Sequence, residues 1–164
     1  MQQNEGESAA FRVIVIGYFS VGKVTFCEKI ATDCQWDLTL IEQLGYGLYE
    51  RDDFIENQVI KGEIWSTLGF QHYRRKILKH IEKCDGIILM YDITEEGTFR
   101  EIQMWIDHLQ EHQIGPPARL LLGNMIDMDD QRKISYEEGR QWGEKFQSKF
   151  IEISAKYSDG AEHA

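Results

Sequence analysis

Gly17-Tyr18-Phe19-Ser20-Val21-Gly22-Lys23 is the stretch on which the fold turns. It follows an apolar run, Val13-Ile14-Val15-Ile16, and leads into a segment with helical spacing. Strand, glycine-bounded loop and helix in that order form a phosphate-binding loop. The glycines let backbone N–H groups turn inward around an anion, and Lys23 adds a mobile positive charge. The next position ordinarily supplies a Ser or Thr hydroxyl to Mg²⁺, but here it is Val24. The chain is built to hold phosphate while lacking one part that holds a metal.

Around this loop lie 164 residues, the length of one domain, enough to remove roughly 70% of the unfolded surface from water. No apolar run approaches the ~20 residues of a membrane helix. Residues 1–10 are polar and lack a secretory core, so they read as a flexible N-terminal tail, with one domain over residues 11–164. Cys27, Cys34 and Cys84 are an odd, unclustered set, which points to a reducing, cytoplasmic setting. Cys27 and Cys34 lack the partners of a tetrahedral metal site. A formal charge of −10 disfavours non-specific nucleic-acid binding. Arg74, Arg75, Lys76, Lys79 and Lys83 run against that charge, either as a solvated helix face or as a docking surface for an acidic partner.

Strand and helix signals alternate, which predicts an α/β fold with a mostly parallel sheet flanked by helices. Strands are expected over residues 11–17, 86–91, 118–123 and 149–153, with a hairpin of 48–53 and 58–65 turning at 55–57. Helices are expected over 22–32, 72–83, 98–112 and from Ser135 to about 146, where Ser135 and Glu138 have capping-box spacing. Residues 33–47 read as irregular and mobile. In such a sheet a ligand sits beyond the carboxyl ends of the strands, and every motif here follows a predicted strand.

Two further segments sit at that end. Gly123-Asn124-Met125-Ile126-Asp127 follows one strand and Ser154-Ala155-Lys156 another. With the phosphate loop, they resemble the Ras superfamily of small GTPases, and residues 85–94 and 150–156 look like its Rab branch. The resemblance covers residues 11–156 and implies the P-loop small-GTPase fold, a six-stranded sheet, and GDP or GTP as ligand. An ionised carboxylate accepts from both N1–H and the 2-amino group of guanine, so the resemblance makes Asp127 the guanine selector. Ala155 N–H is aimed at O6, and Asn124 ties this loop to the phosphate loop. Met125 replaces a family Lys, keeping an apolar cover for the base but losing the ammonium. A turn without a ligand is the plainer reading of Asn124 and Asp127.

The expected nucleotide-binding set is Gly17, Ser20, Val21, Gly22, Lys23, Val24, Thr25, Gly69, Asn124, Met125, Asp127, Ser154, Ala155 and Lys156. On the metal side the chain departs from the family. A valine offers Mg²⁺ no lone pair. Thr25 is turned about 100° further round the helix, away from the phosphates. The acidic motif after the third strand reads Ser66-Thr67-Leu68-Gly69-Phe70, so Ser66 replaces the metal-anchoring Asp and Phe70 the catalytic Gln. Gln43 stands for the first-switch Thr. The expectation is a Rab-like guanine-nucleotide-binding protein of vesicle trafficking, with weak or absent Mg²⁺ binding, no catalytic residue and at most slow hydrolysis. The alternative is a nucleotide-free pseudo-GTPase that acts as an interaction module, its pocket filled by Phe70, Leu68 and Phe19. Gly45, Trp65, Phe70 and Tyr73 are the expected partner surface for effectors or a neighbouring domain. The resemblance also implies a final helix and a prenylated tail after Lys156. Both are expected to be missing, with no lipid anchor, so that membranes are reached through a partner.

Overall fold

The structure, a computed structural model, describes residues 10–35, 41, 43, 45–56, 58–114 and 118–157. The expected tail lies outside these residues except for Ala10, which already belongs to the first strand. In chain order the elements are β1 (Ala10–Ile16), α1 (Lys23–Ile30), β2 (Asp33–Gln35), β3 (Tyr46–Ile55) and β4 (Gln58–Thr67). Then come α2 (Arg74–Ile81), β5 (Gly86–Asp92), α3 (Glu96–Glu111), β6 (Ala118–Asn124), α4 (Tyr136–Lys145) and β7 (Lys149–Glu152). Short 3₁₀ turns occupy Gln71–Tyr73 and Ile126–Gln131.

One sheet runs β2-β3-β4-β1-β5-β6-β7. The six expected strands are present, and β2 adds a three-residue edge in the stretch expected to be irregular, pairing Cys34 opposite Tyr49. β2 and β3 are antiparallel neighbours, as are β3 and β4, while β4, β1, β5, β6 and β7 run parallel. β3 begins at Tyr46, two residues earlier than expected, because Tyr46 pairs with Thr67 and its ring stacks on Trp65 at 5.1 Å. The basic helix is shorter than expected, Arg74–Ile81, with its first turn drawn into the 3₁₀ form.

Buried parallel strands are apolar on both faces, and the alternation of side chains divides them between two layers. Ile14, Ile16, Ile87, Leu89, Tyr91 and Leu121 face the layer that receives Ile77 and Ile81 of α2, the stripe Phe99, Ile102, Trp105, Ile106 and Leu109 of α3, and Phe146. Val15, Ile88, Met90 and Leu122 face Phe26 and Cys27 of α1. The Ser135–Glu138 capping box is formed, with reciprocal hydrogen bonds at the start of α4. The chain crosses from β4 to β5 over β1, which places the loop after β1 at the crevice where the strand order reverses.

Candidate functional site

Between β1 and α1 the loop takes left-handed backbone at Ser20 (φ 65°) and Gly22 (φ 92°), the curl a chain needs to turn its N–H groups around an anion. A Cβ on Gly22 would meet Asn124 Nδ2 at 2.4 Å, so close approach as well as conformation demands glycine. Lys23 is buried, and its ammonium donates to Gly17 O (3.0 Å) and Tyr18 O (2.6 Å). Burial lowers its pKa to about 8. The loop therefore holds a cation that is short of water and short of a counter-anion.

Asn124 ends β6 with 1% exposure and joins three segments. Its Nδ2 donates to Val21 O (2.9 Å), while its Oδ1 accepts from Ala155 N (2.9 Å). Met125 is left-handed (φ 74°) and turns the chain into the 3₁₀ segment that carries Asp127 outward. Ser154 Oγ donates to Asp127 Oδ1 at 2.6 Å, which leaves the other carboxylate oxygen to a ligand. Lys156 is exposed, with Nζ 4.9 Å from the Tyr157 ring; its hydrogen bond to Tyr157 raises its pKa. Asn124, Asp127, Ser154, Ala155 and Lys156 come together at the carboxyl end of β6 and just beyond β7. This arrangement offers a carboxylate acceptor beside an exposed ammonium.

A cavity of about 280 Å³ opens beside the loop, lined by Phe19, Ser20, Gly22, Lys23, Val24, Thr25, Thr67 and Leu68. Val24 and Thr25, successive residues of the first turn of α1, are both among the lining residues. Ser66, by contrast, is not among the lining residues. It is buried at 3% exposure beside Cys27, whose thiol burial pushes up to about 12 against a lowering contribution from Ser66. Among the described residues Ser66 Oγ has no partner of full hydrogen-bond geometry. The donors facing the cavity are thus hydroxyls and one ammonium, with no carboxylate among the lining residues. An ammonium with hydroxyl donors beside it suits an anion such as phosphate.

Gly69 closes the other side. Its φ is 84°, and a Cβ there would lie 2.7 Å from Gly17 O and from Phe19 N, so only glycine lets the strand rest on the loop. Next to it the Phe19 and Phe70 rings stack at 5.3 Å with an interplanar angle of 20°. Phe70 stacks in turn on His72 (5.8 Å), and His72 lies 4.0 Å from Tyr73. Gln43 O accepts from Lys76 Nζ (2.6 Å), and Leu68 N donates to Gly45 O (2.9 Å). The two segments beside the loop are therefore tied together.

The expected partner surface divides. Phe70 is exposed and Tyr73 half-buried, whereas Gly45 is buried under the Tyr73 ring. Trp65 is not on the surface: it belongs to the core, its ring stacked on Tyr46 and edge-on to His80. In the basic patch, Arg74 pairs with Glu101 and lies over Trp105, and Lys76 is engaged, while Arg75, Lys79 and Lys83 stay exposed. Sequence reasoning missed Thr67 and gave Phe19 and Leu68 no place in the binding set. Thr67 Oγ1 donates to Val15 O (3.0 Å) at the cavity wall. Its one signal was its position, the last residue of a buried strand.

A family model described as "Ras family" matches residues 12–164. Ras-related protein Rab-8B of Homo sapiens is 34% identical over 154 residues, which cover 94% of this chain and 74% of that protein. Ras-related protein Rab-13 of Rattus norvegicus is 33% identical over the same share of this chain and 75% of its own length. Rab-8A of Gallus gallus is 32% identical, with 94% and 74% covered. A phosphate loop joined to its base-side loops and these likenesses place the chain in one family: it belongs to the Ras family of small GTPases, as a Rab-like member.

Proposed function

We propose that this protein binds guanine nucleotide with little dependence on Mg²⁺, hydrolyses GTP very slowly or not at all, and serves vesicle trafficking as a Rab-like binding partner. Membership in a GTPase family implies a guanine nucleotide as ligand. The observation that carries the rest is the asymmetry of the site. Asn124 links phosphate loop to base loops by two buried hydrogen bonds, while the positions at which the family resemblance expects a metal-binding hydroxyl, an acidic residue and a catalytic Gln carry Val24, Ser66 and Phe70. Phosphoryl transfer depends on positioning and on neutralisation of charge by the metal. Without these, Lys23, the loop N–H groups and the start of α1 must hold the phosphates, and GDP, with less charge, is favoured over GTP.

Phe70 and its neighbours carry the partner role, because an exposed aromatic cluster suits a protein surface. Binding there is independent of nucleotide, since the Phe19–Phe70 stack and the Lys76–Gln43 bond need no phosphate to form. Effectors or a neighbouring domain also supply recruitment to membranes; no described helix is long and apolar enough to cross one. The same stack, with Leu68 on the cavity wall, favours a second reading, a nucleotide-free pseudo-GTPase.

The experiment is to denature freshly purified protein, identify any released nucleotide, and titrate GDP and GTP with Mg²⁺ or with chelator. Bound guanine nucleotide unaffected by chelator is expected. Binding that collapses on chelation overturns metal independence, and an empty pocket that takes neither nucleotide leaves the interaction module. Brisk GTP turnover would refute the assignment of slow hydrolysis.

A further inference from the structure

The last turn of α3 carries a second cluster of donors, remote from the nucleotide loops. His108 and His112 are four residues apart and Glu111 three from His108, so all three project from one helical face. Their ligand atoms lie within 4.8 Å of one another. The imidazole rings are 4.4 Å apart, and His108 Nδ1 is 4.0 Å from Glu111 Oε2. From this juxtaposition we propose that His108, Glu111 and His112 form a surface site for a borderline divalent transition ion of the Zn²⁺ or Cu²⁺ class.

Three features support it. His112 Nδ1 lies 2.9 Å from His108 O, and a carbonyl can only accept, so Nδ1 carries the proton and Nε2 keeps its lone pair for a metal. That hydrogen bond, from ring to backbone carbonyl, is the support a metal-bound histidine ordinarily has. Two imidazoles and one carboxylate select Zn²⁺ or Cu²⁺ over Mg²⁺ and Ca²⁺, which want oxygen alone. The helix carboxyl end and exposed Asp107 add negative potential at the same place. Donors bound to one tetrahedral ion sit about 3.3 Å apart, as Zn–N bonds of about 2.0–2.1 Å require. Rotation of the exposed Glu111 side chain and small shifts of the two imidazoles close the gap. The fourth position is left to water or to a donor from a partner.

β5 ends at the nucleotide edge and α3 runs back from it to re-enter the sheet at Ala118, so the cluster lies at the opposite edge. Its occupancy is therefore separable from nucleotide binding. Of the other described histidines, His72 packs between Phe70 and Tyr73, and His80 lies edge-on against the stacked Tyr46 and Trp65 rings.

The test is calorimetric titration of the chelator-treated full chain with Zn²⁺ at neutral pH in excess Mg²⁺, alongside visible absorption of the Co²⁺ complex. One ion per chain is expected. His112→Ala should weaken binding about tenfold or more, Glu111→Gln less, and the His108→Ala/His112→Ala pair should abolish both the heat and the Co²⁺ bands. Circular dichroism of the metal-free variants should match that of the parent, because Glu111 and His112 are exposed and His108 is partly so. Absence of saturable binding, or unchanged binding in the double variant, overturns the proposal.

Discussion

Asn124→Ala removes the link between the phosphate loop and the base loops without touching any surface group. Two buried hydrogen bonds disappear, from Nδ2 to Val21 O and from Ala155 N to Oδ1. Each contributes about 1 kcal/mol net, and a stranded buried donor or acceptor costs about 1–3 kcal/mol beyond that. Allowing for partial relaxation of the two loops, the expected loss is about 3 kcal/mol. With a urea slope of about 2 kcal/mol/M for a chain of this size, the unfolding midpoint falls by about 1.5 M. Asn124→Asp separates the two bonds: it keeps the acceptor for Ala155 N but sets a carboxylate against Val21 O, so it too should destabilise. Urea unfolding followed by circular dichroism gives midpoint and slope, and nucleotide dissociation rates give the functional effect. A loss under about 1 kcal/mol with unchanged dissociation would refute the claim that Asn124 holds the two halves of the site together.

Two further outcomes are expected. Gly69→Ala should destabilise by about 1–2 kcal/mol from its left-handed backbone alone, and more as the Cβ pushes Phe70 off the loop; limited proteolysis should cut near residue 70 faster, and unchanged resistance would contradict the packing. Lys23 in the nucleotide-free fold has a pKa of about 8, below its unfolded value of 10.5. Between those values the unfolded chain binds more protons, so this group's contribution to stability rises with pH over about 8 to 10.5, and below pH 8 it is a constant cost of about 3 kcal/mol. Phosphate restores the charged form, so nucleotide binding near pH 8–9 should take up a proton, measurable as a calorimetric heat that varies with buffer ionisation enthalpy. No buffer dependence would rule this out.

Local patterns carried much of this fold into the sequence. The Val13–Ile16 run and Gly22 announce strand and loop because burial on both faces needs unbroken apolar residues and the curl needs a left-handed position. Ser135 and Glu138 announce α4 because the capping box closes within four residues. What stayed hidden depends on distant pairing. β2 exists only because Asp33–Gln35 finds Leu48–Glu50, and no alternation marks three residues. Trp65 read as surface because nothing adjacent in the chain reveals that Tyr46 and His80 pack against it. The meeting of Phe19 with Phe70 and the retreat of Ser66 towards Cys27 are likewise tertiary facts, and they bear most on the chemistry.

The Asn124 junction also has a consequence in time. Its two hydrogen bonds span 103 and 31 positions of the chain, from Val21 to Ala155. At synthesis rates of about 5–20 residues per second, some 7–27 s separate the emergence of the phosphate loop from that of its last tie. For the first 103 positions of that interval the growing polypeptide carries the loop without Asn124, and for the last 31 it has Asn124 without Ala155. A ribosome stalled before Ala155 would therefore present a junction whose second hydrogen bond is still unmade.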